Sequence, residues 1–147
     1  MADGRRVQIV HLFDASLERV FQAWTDPDEV SRWWAPEGFA VLPGSVQIEV
    51  RVGGRFDLTM IDPRDSTTYP MQARIIEIDV PNLIVLRTEP MPNVGIHHPT
   101  MTTVTFEPVG PRTRMTFTAG PYPDEVFADS QTGWNSVVSR LDRLLRE

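Results

Sequence analysis

Apolar and polar positions alternate through residues 6–13, with Val7, Ile9, His11 and Phe13 on one side and Gln8, Val10 and Leu12 on the other. The pattern predicts a strand with few polar positions, covered on much of both faces. Asp14 and Ser16 are both candidate N-caps for a helix directly after it. Leu17, Val20, Phe21 and Trp24 fall at i, i+3, i+4 and i+7, the spacing of an amphipathic helix. Asp26, Pro27 and Glu29 read as a cap, a first-turn proline and the far half of a capping box. They start a second short helix carrying Val30, Trp33 and Trp34, which ends at Ala35-Pro36-Glu37-Gly38.

From residue 39 to about 119 the period changes to two. Strands are expected over 45–52, 55–62, 69–79, 83–89, 100–108 and 113–119. Turn residues such as Pro43-Gly44, Gly53-Gly54, Pro81-Asn82 and Gly110-Pro111 separate them. Gly53-Gly54 reads as a hairpin turn that requires a positive φ. No helical stretch intervenes, so the strands should form an antiparallel meander rather than βαβ units. Residues 123–146 predict one long helix with Trp134, Val137, Val138, Leu141, Leu144 and Leu145 as its apolar stripe. Gly133 interrupts that helix and marks either a close backbone approach or a break. The fold class is therefore α+β: a curved antiparallel sheet of about six to seven strands wrapped around a long C-terminal helix, with two short helices after the first strand. A cavity is expected between the sheet and the long helix.

Length and composition narrow the functions open to such a fold. At 147 residues the chain is expected to form a single domain spanning 1–147. It has no cysteine, and all 14 basic residues are arginine, so disulfide frameworks, thiol nucleophiles and lysine Schiff bases are excluded. A net charge of −6 argues against nucleic-acid binding. The longest aliphatic run, Leu83 to Leu86, is far short of the ~20 residues of a membrane span. Met1-Ala-Asp-Gly-Arg-Arg has no apolar run behind it, so no signal peptide and a cytoplasmic location are expected. No Gly-x-Ser-x-Gly elbow and no phosphate loop is present, so a covalent mechanism is not expected.

Several strings are similar to those of a known family. They include Phe13-Asp14-Ala15, Glu18 through Pro27, Arg32-Trp33-Trp34-Ala35-Pro36 with Gly38-Phe39, and Gly53-Gly54-Arg55-Phe56. Pro81-Asn82-Leu83, Thr103 through Glu107, and Gly133-Trp134 with Leu141 complete the set. The chain resembles the SRPBCC superfamily of START-like, Bet v 1-like helix-grip proteins. Within it, the closest resemblance is to the family named after the activator of the heat-shock-protein-90 ATPase. The resemblance implies a sheet gripping a long helix around a hydrophobic pocket. Its relatives include lipid and hormone carriers, polyketide aromatase/cyclases, sequestering resistance proteins and co-chaperone domains.

The chemistry of particular residues marks those able to line or operate such a pocket. Trp33, Trp34 and Trp134 carry large amphipathic rings suited to a ligand wall, or else plug one end of the barrel. Met60 and Met101, with Met71, Met91 and Met115, suit a wall that accepts varied apolar shapes. Tyr69 offers a hydroxyl at a strand start. Arg74 and Arg87 could clamp a carboxylate, with Glu77 or Glu89 as a base, if their strand faces look inward; outward, they are solvated pairs. His97 and His98 could supply an acid or base at the pocket mouth, while His11 reads as a packed residue. No metal site and no cofactor is expected, since adjacent histidine side chains diverge. Three functions stand: binding of a small, largely apolar or aromatic molecule; a cyclase, dehydratase or hydrolase using one acid/base; and a module that regulates a chaperone ATPase. An exposed strand edge could also support a homodimer.

Overall fold

The computed structural model describes residues 5–147. The N-terminal stretch expected not to be a signal peptide lies largely outside them. Strand β1 (Arg5–Phe13) buries Val7 and Phe13, as its alternation requires. Helix α1 (Leu17–Thr25) is capped by Ser16, whose Oγ accepts from the Arg19 amide at 3.2 Å. Helix α2 (Pro27–Trp33) is capped by Asp26, whose carboxylate accepts from the Asp28 and Glu29 amides. The expected capping box does not close. The Asp26 amide already donates to the Gln22 carbonyl at the end of α1. Glu29 is thereby released to accept from Arg19 at 2.6 Å and from Gln22 at 2.9 Å, tying the two helices together.

Short strands β2 (Ala40–Val41) and β3 (Gln47–Ile48) both pair antiparallel with β4 (Phe56–Asp62). Strands β5 (Thr67–Met71) and β6 (Ala73–Asp79) come next, then β7 (Leu83–Thr88), β8 (Thr100–Val109) and β9 (Arg112–Tyr122). The main sheet has the order β1-β9-β8-β7-β6, and β4 carries β2, β3 and β5 around it. The two halves are stitched where the Gly53 amide donates to the Ile75 carbonyl at 2.7 Å and the Ile75 amide to the Gly54 carbonyl at 2.9 Å. Helix α3 (Asp124–Leu145) packs inside the curve, burying Phe127, Val137, Val138, Leu141, Leu144 and Leu145. The α+β helix-grip arrangement is the one expected. No helix among the described residues is long and apolar enough to cross a membrane.

Further details differ from the sequence reading. Residues 45–52 alternate like a strand, yet only Gln47–Ile48 pairs, because the chain turns tightly at 49–54 and leaves Val52 65% exposed. The expected strand 69–79 is two strands, broken at Gln72, where the Asp57 carboxylate accepts the Ala73 amide at 3.1 Å in place of a ladder partner. Strand β9 continues past 119 through Gly120-Pro121 to Tyr122. An irregularity in the β1 register, between Arg5 and Val7, absorbs the proline that cannot join the ladder. Gly133, finally, neither breaks α3 nor touches another backbone: a Cβ there would have only Pro36 Cβ nearby, at 3.9 Å.

Candidate functional site

A cavity of about 550 Å³ lies between α3 and the half of the sheet built on β4 and β5. Its wall is assembled from several parts of the chain, including Tyr122 at the end of β9. Strand alternation places Met60 of β4 and Tyr69 and Met71 of β5 on it, and helical periodicity brings Val126, Gly133, Trp134 and Val137 of α3 opposite. The segment after α2 contributes Trp34, Pro36 and Phe39. The loop before β8 contributes Met91, Val94 and Ile96, held by reciprocal backbone bonds between Met91 and Ile96.

Two side chains of α3 fix the segment at the mouth. Arg140 donates from Nη1 to the carbonyls of Ala35 at 2.8 Å and Phe39 at 3.0 Å. The Glu37 amide donates to the Ser136 hydroxyl at 2.6 Å. One turn of α3 therefore sets where Pro36 and Phe39 stand.

The wall is mostly apolar, and its largest side chains are aromatic. The Trp34 and Trp134 rings meet edge-on with centroids 5.4 Å apart, Phe117 backs Trp134 at 4.6 Å, and Phe39 meets Tyr69 at 5.9 Å. Such edge-to-face contacts hold each ring in one orientation, which suits a preformed site. Its polar anchor is a single bond between two lining residues: Trp134 Nε1 donates to the Tyr122 hydroxyl at 2.9 Å. Tyr122 is only 5% exposed, and burial raises its phenol pKa above the usual value, against a smaller lowering by the Trp134 hydrogen bond. The hydroxyl stays protonated at ordinary pH. Asp129, exposed, is the one charged residue on the wall among the described residues.

Of the residues singled out in the sequence, Trp34, Met60, Tyr69, Met71, Met91 and Trp134 come together on this wall. The others lie elsewhere, each for a physical reason. Trp33 is buried behind Trp34, where its Nε1 donates to the Ala23 carbonyl at 2.8 Å and caps the end of α1. Arg74 and Glu77 are exposed on the outer face of β6, and Arg87 is exposed and paired with Glu89 at 2.7 Å, so neither guanidinium clamps the cavity. Met101 is half-buried on β8, outside the wall. His97 is exposed, and His98 is spent on the Pro121 carbonyl at 2.8 Å, bracing the end of β9. His11 meets Asp142 of α3 at 3.1 Å. Tyr122 escapes the sequence reading because Gly120-Pro121 looks like a strand terminator. Gly133 stands out in the sequence for its helix propensity and not for the space it leaves.

Comparisons place this geometry among known proteins. Residues 14–146 match the family described as Activator of Hsp90 ATPase homolog 1-like protein. No curated protein matches the chain. Solved structures do: protein CV1439 from Chromobacterium violaceum is 21% identical, with a TM-score of 0.88 over 97% of this chain and 98% of that one. The AHSA1 protein from Silicibacter pomeroyi is 18% identical, with a TM-score of 0.80 over 96% and 97%. DynU16, a putative protein in the dynemicin biosynthetic locus, is 16% identical with a TM-score of 0.70, over 96% of this chain but 47% of its own. At these identities the likeness is one of fold.

Proposed function

The chain belongs to the activator of Hsp90 ATPase homolog 1-like family, and from that premise we propose that it binds a small, largely apolar or aromatic molecule between sheet and helix, for carriage, sequestration or sensing. The observation that carries this reading is the cavity of about 550 Å³ walled by Trp34, Phe39, Tyr69, Trp134 and methionines. Its size and lining are those of small-molecule sites, which run to roughly 300–1,000 Å³ and are mainly apolar with few polar groups. The likeness to DynU16, which comes from a biosynthetic locus, supports a small-molecule role by analogy of fold alone. The same reading takes the chain as a single START-like domain acting in the cytoplasm, where a cysteine-free protein has no need of an oxidising compartment.

Binding is favoured over turnover because the acid/base candidates His97, His98 and Glu77 stand off the wall. Thermal-shift screening against flavonoids, polycyclic ketones and fatty acids tests the reading. A ligand at about one hundred times its Kd stabilises the fold by about 2.7 kcal/mol, a rise of several degrees. A panel in which no aromatic compound moves the melting temperature would overturn it.

A further inference from the structure

The polar atoms of the cavity say more about the occupant than its volume does. A tyrosine hydroxyl has one proton to donate and two lone pairs to accept with. At Tyr122 one lone pair is taken by the Trp134 indole N–H at 2.9 Å. Among the described residues the hydroxyl's own proton makes no hydrogen bond. Receiving the indole bond polarises the phenol and strengthens it as a donor. Burial keeps it protonated, so it offers a proton and not a negative charge. The other polar wall residues, Tyr69, Asn93 and Ser130, are half-buried or exposed, where water serves them.

The charge of the wall points the same way. Arg74 and Arg87 lie on the outer faces of their strands, and the only charged wall residue among those described is the acidic, exposed Asp129. Among the described wall residues a carboxylate finds no guanidinium, and it meets a like charge at the rim.

Resting on the binding reading above, we infer that the cavity selects a neutral, flat polycyclic molecule bearing a carbonyl-type oxygen, which accepts the free proton of the Tyr122 hydroxyl. Tyr122 is the specificity-determining residue. A hydrocarbon of the same shape leaves that buried donor unpaired, and a fatty acid brings a charge that nothing on the wall neutralises.

The probes that test this are the tricyclic ketone fluorenone and its hydrocarbon counterpart fluorene, measured by equilibrium dialysis on the whole chain. The expected result is that Tyr122→Phe lowers the ratio of fluorenone to fluorene affinity by roughly 2- to 12-fold, the net worth of one neutral hydrogen bond. Using the ratio removes any general loss of packing in the variant. In the wild type alone, the carbonyl stretch of bound fluorenone should lie below its value in cyclohexane, and in Tyr122→Phe it should return to that value. A carbonyl stretch in the wild type equal to that in cyclohexane overturns the inference, whether or not the variant folds. So does an unchanged affinity ratio, and both results leave the binding reading intact. If the wild type binds neither probe, the binding reading falls and takes this inference with it.

Discussion

Replacing Gly133 tests the cavity from the protein's side. Gly133 lies inside α3 and on the cavity wall. A Cβ there would meet nothing nearer than Pro36 Cβ at 3.9 Å, an ordinary van der Waals contact. Alanine should therefore fit without displacement, and glycine in a helix interior is worse than alanine by about 0.5–1 kcal/mol. Gly133→Ala is expected to raise the melting temperature by roughly 1–4 °C. Gly133→Leu adds further carbons that can extend into the cavity of about 550 Å³, each buried methylene contributing roughly 0.8 kcal/mol. It should fold at least as stably as the wild type while losing the ligand-induced thermal shift. Differential scanning fluorimetry of the three proteins, with and without the best ligand from the screen, reads both effects. A lower melting temperature for Gly133→Ala would refute the claim that the glycine only leaves space. A full ligand shift in Gly133→Leu would place the ligand somewhere other than this cavity.

Other positions carry predictions of different kinds. A Cβ on Gly54 would land within the van der Waals shell of the Glu49 carbonyl oxygen, so Gly54→Ala should lose at least about 2 kcal/mol in urea unfolding, whereas a near-neutral result would show that the turn relaxes. Trp33→Phe strands the Ala23 carbonyl, at about 1–3 kcal/mol beyond lost packing. Among the described residues Trp24 Nε1 has no hydrogen-bond partner, so Trp24→Phe should lose less than Trp33→Phe in the same assay. At Asp142 burial opposes the charge, but hydrogen bonds from Arg146 and His11 outweigh it and hold the carboxyl below its usual range. A carboxyl with a lowered folded pKa stabilises above its unfolded value near ~3.9 and loses that contribution as the pH falls through the folded value. The wild type should thus be more stable than Asp142→Asn near about pH 6, with the gap closing as melting is followed down to about pH 3.

Most of the scaffold could be read from the residues because its signals are local. Caps at Ser16 and Asp26, the 3.6-residue stripe of α3 and the alternation of β8 and β9 each depend on a few neighbours. The readings that failed depend on partners distant in sequence. Val46, Ile48, Val50 and Val52 alternate perfectly, but pairing stops where the chain folds back on itself at 49–54. The break at Gln72 is made by Asp57, across the sheet. At the site, residue type identified Trp34, Met60, Tyr69 and Trp134, since large rings and thioethers suit such walls. Whether Arg74 and Arg87 faced the cavity turned on sheet curvature, which alternation does not encode. Tyr122 became part of the wall only through the continuation of β9 beyond Pro121, a consequence of the irregular β1 register.

The indole rings form one connected array. Trp24 stands 4.8 Å from Trp33 and 5.6 Å from Trp34, Trp33 and Trp34 are 5.3 Å apart, and Trp34 reaches Trp134 at 5.4 Å, centroid to centroid. These are all four tryptophans of the chain. At such separations an absorbed photon does not remain on the ring that captured it. Excitation is expected to pass among the four by dipole coupling, so fast non-radiative decay at any one ring lowers the emission of all. Trp34 and Trp134 border the cavity while Trp24 and Trp33 lie in the core, so a quenching occupant drains light absorbed by rings it never touches. The whole array thereby forms one candidate optical reporter that ends at the cavity wall.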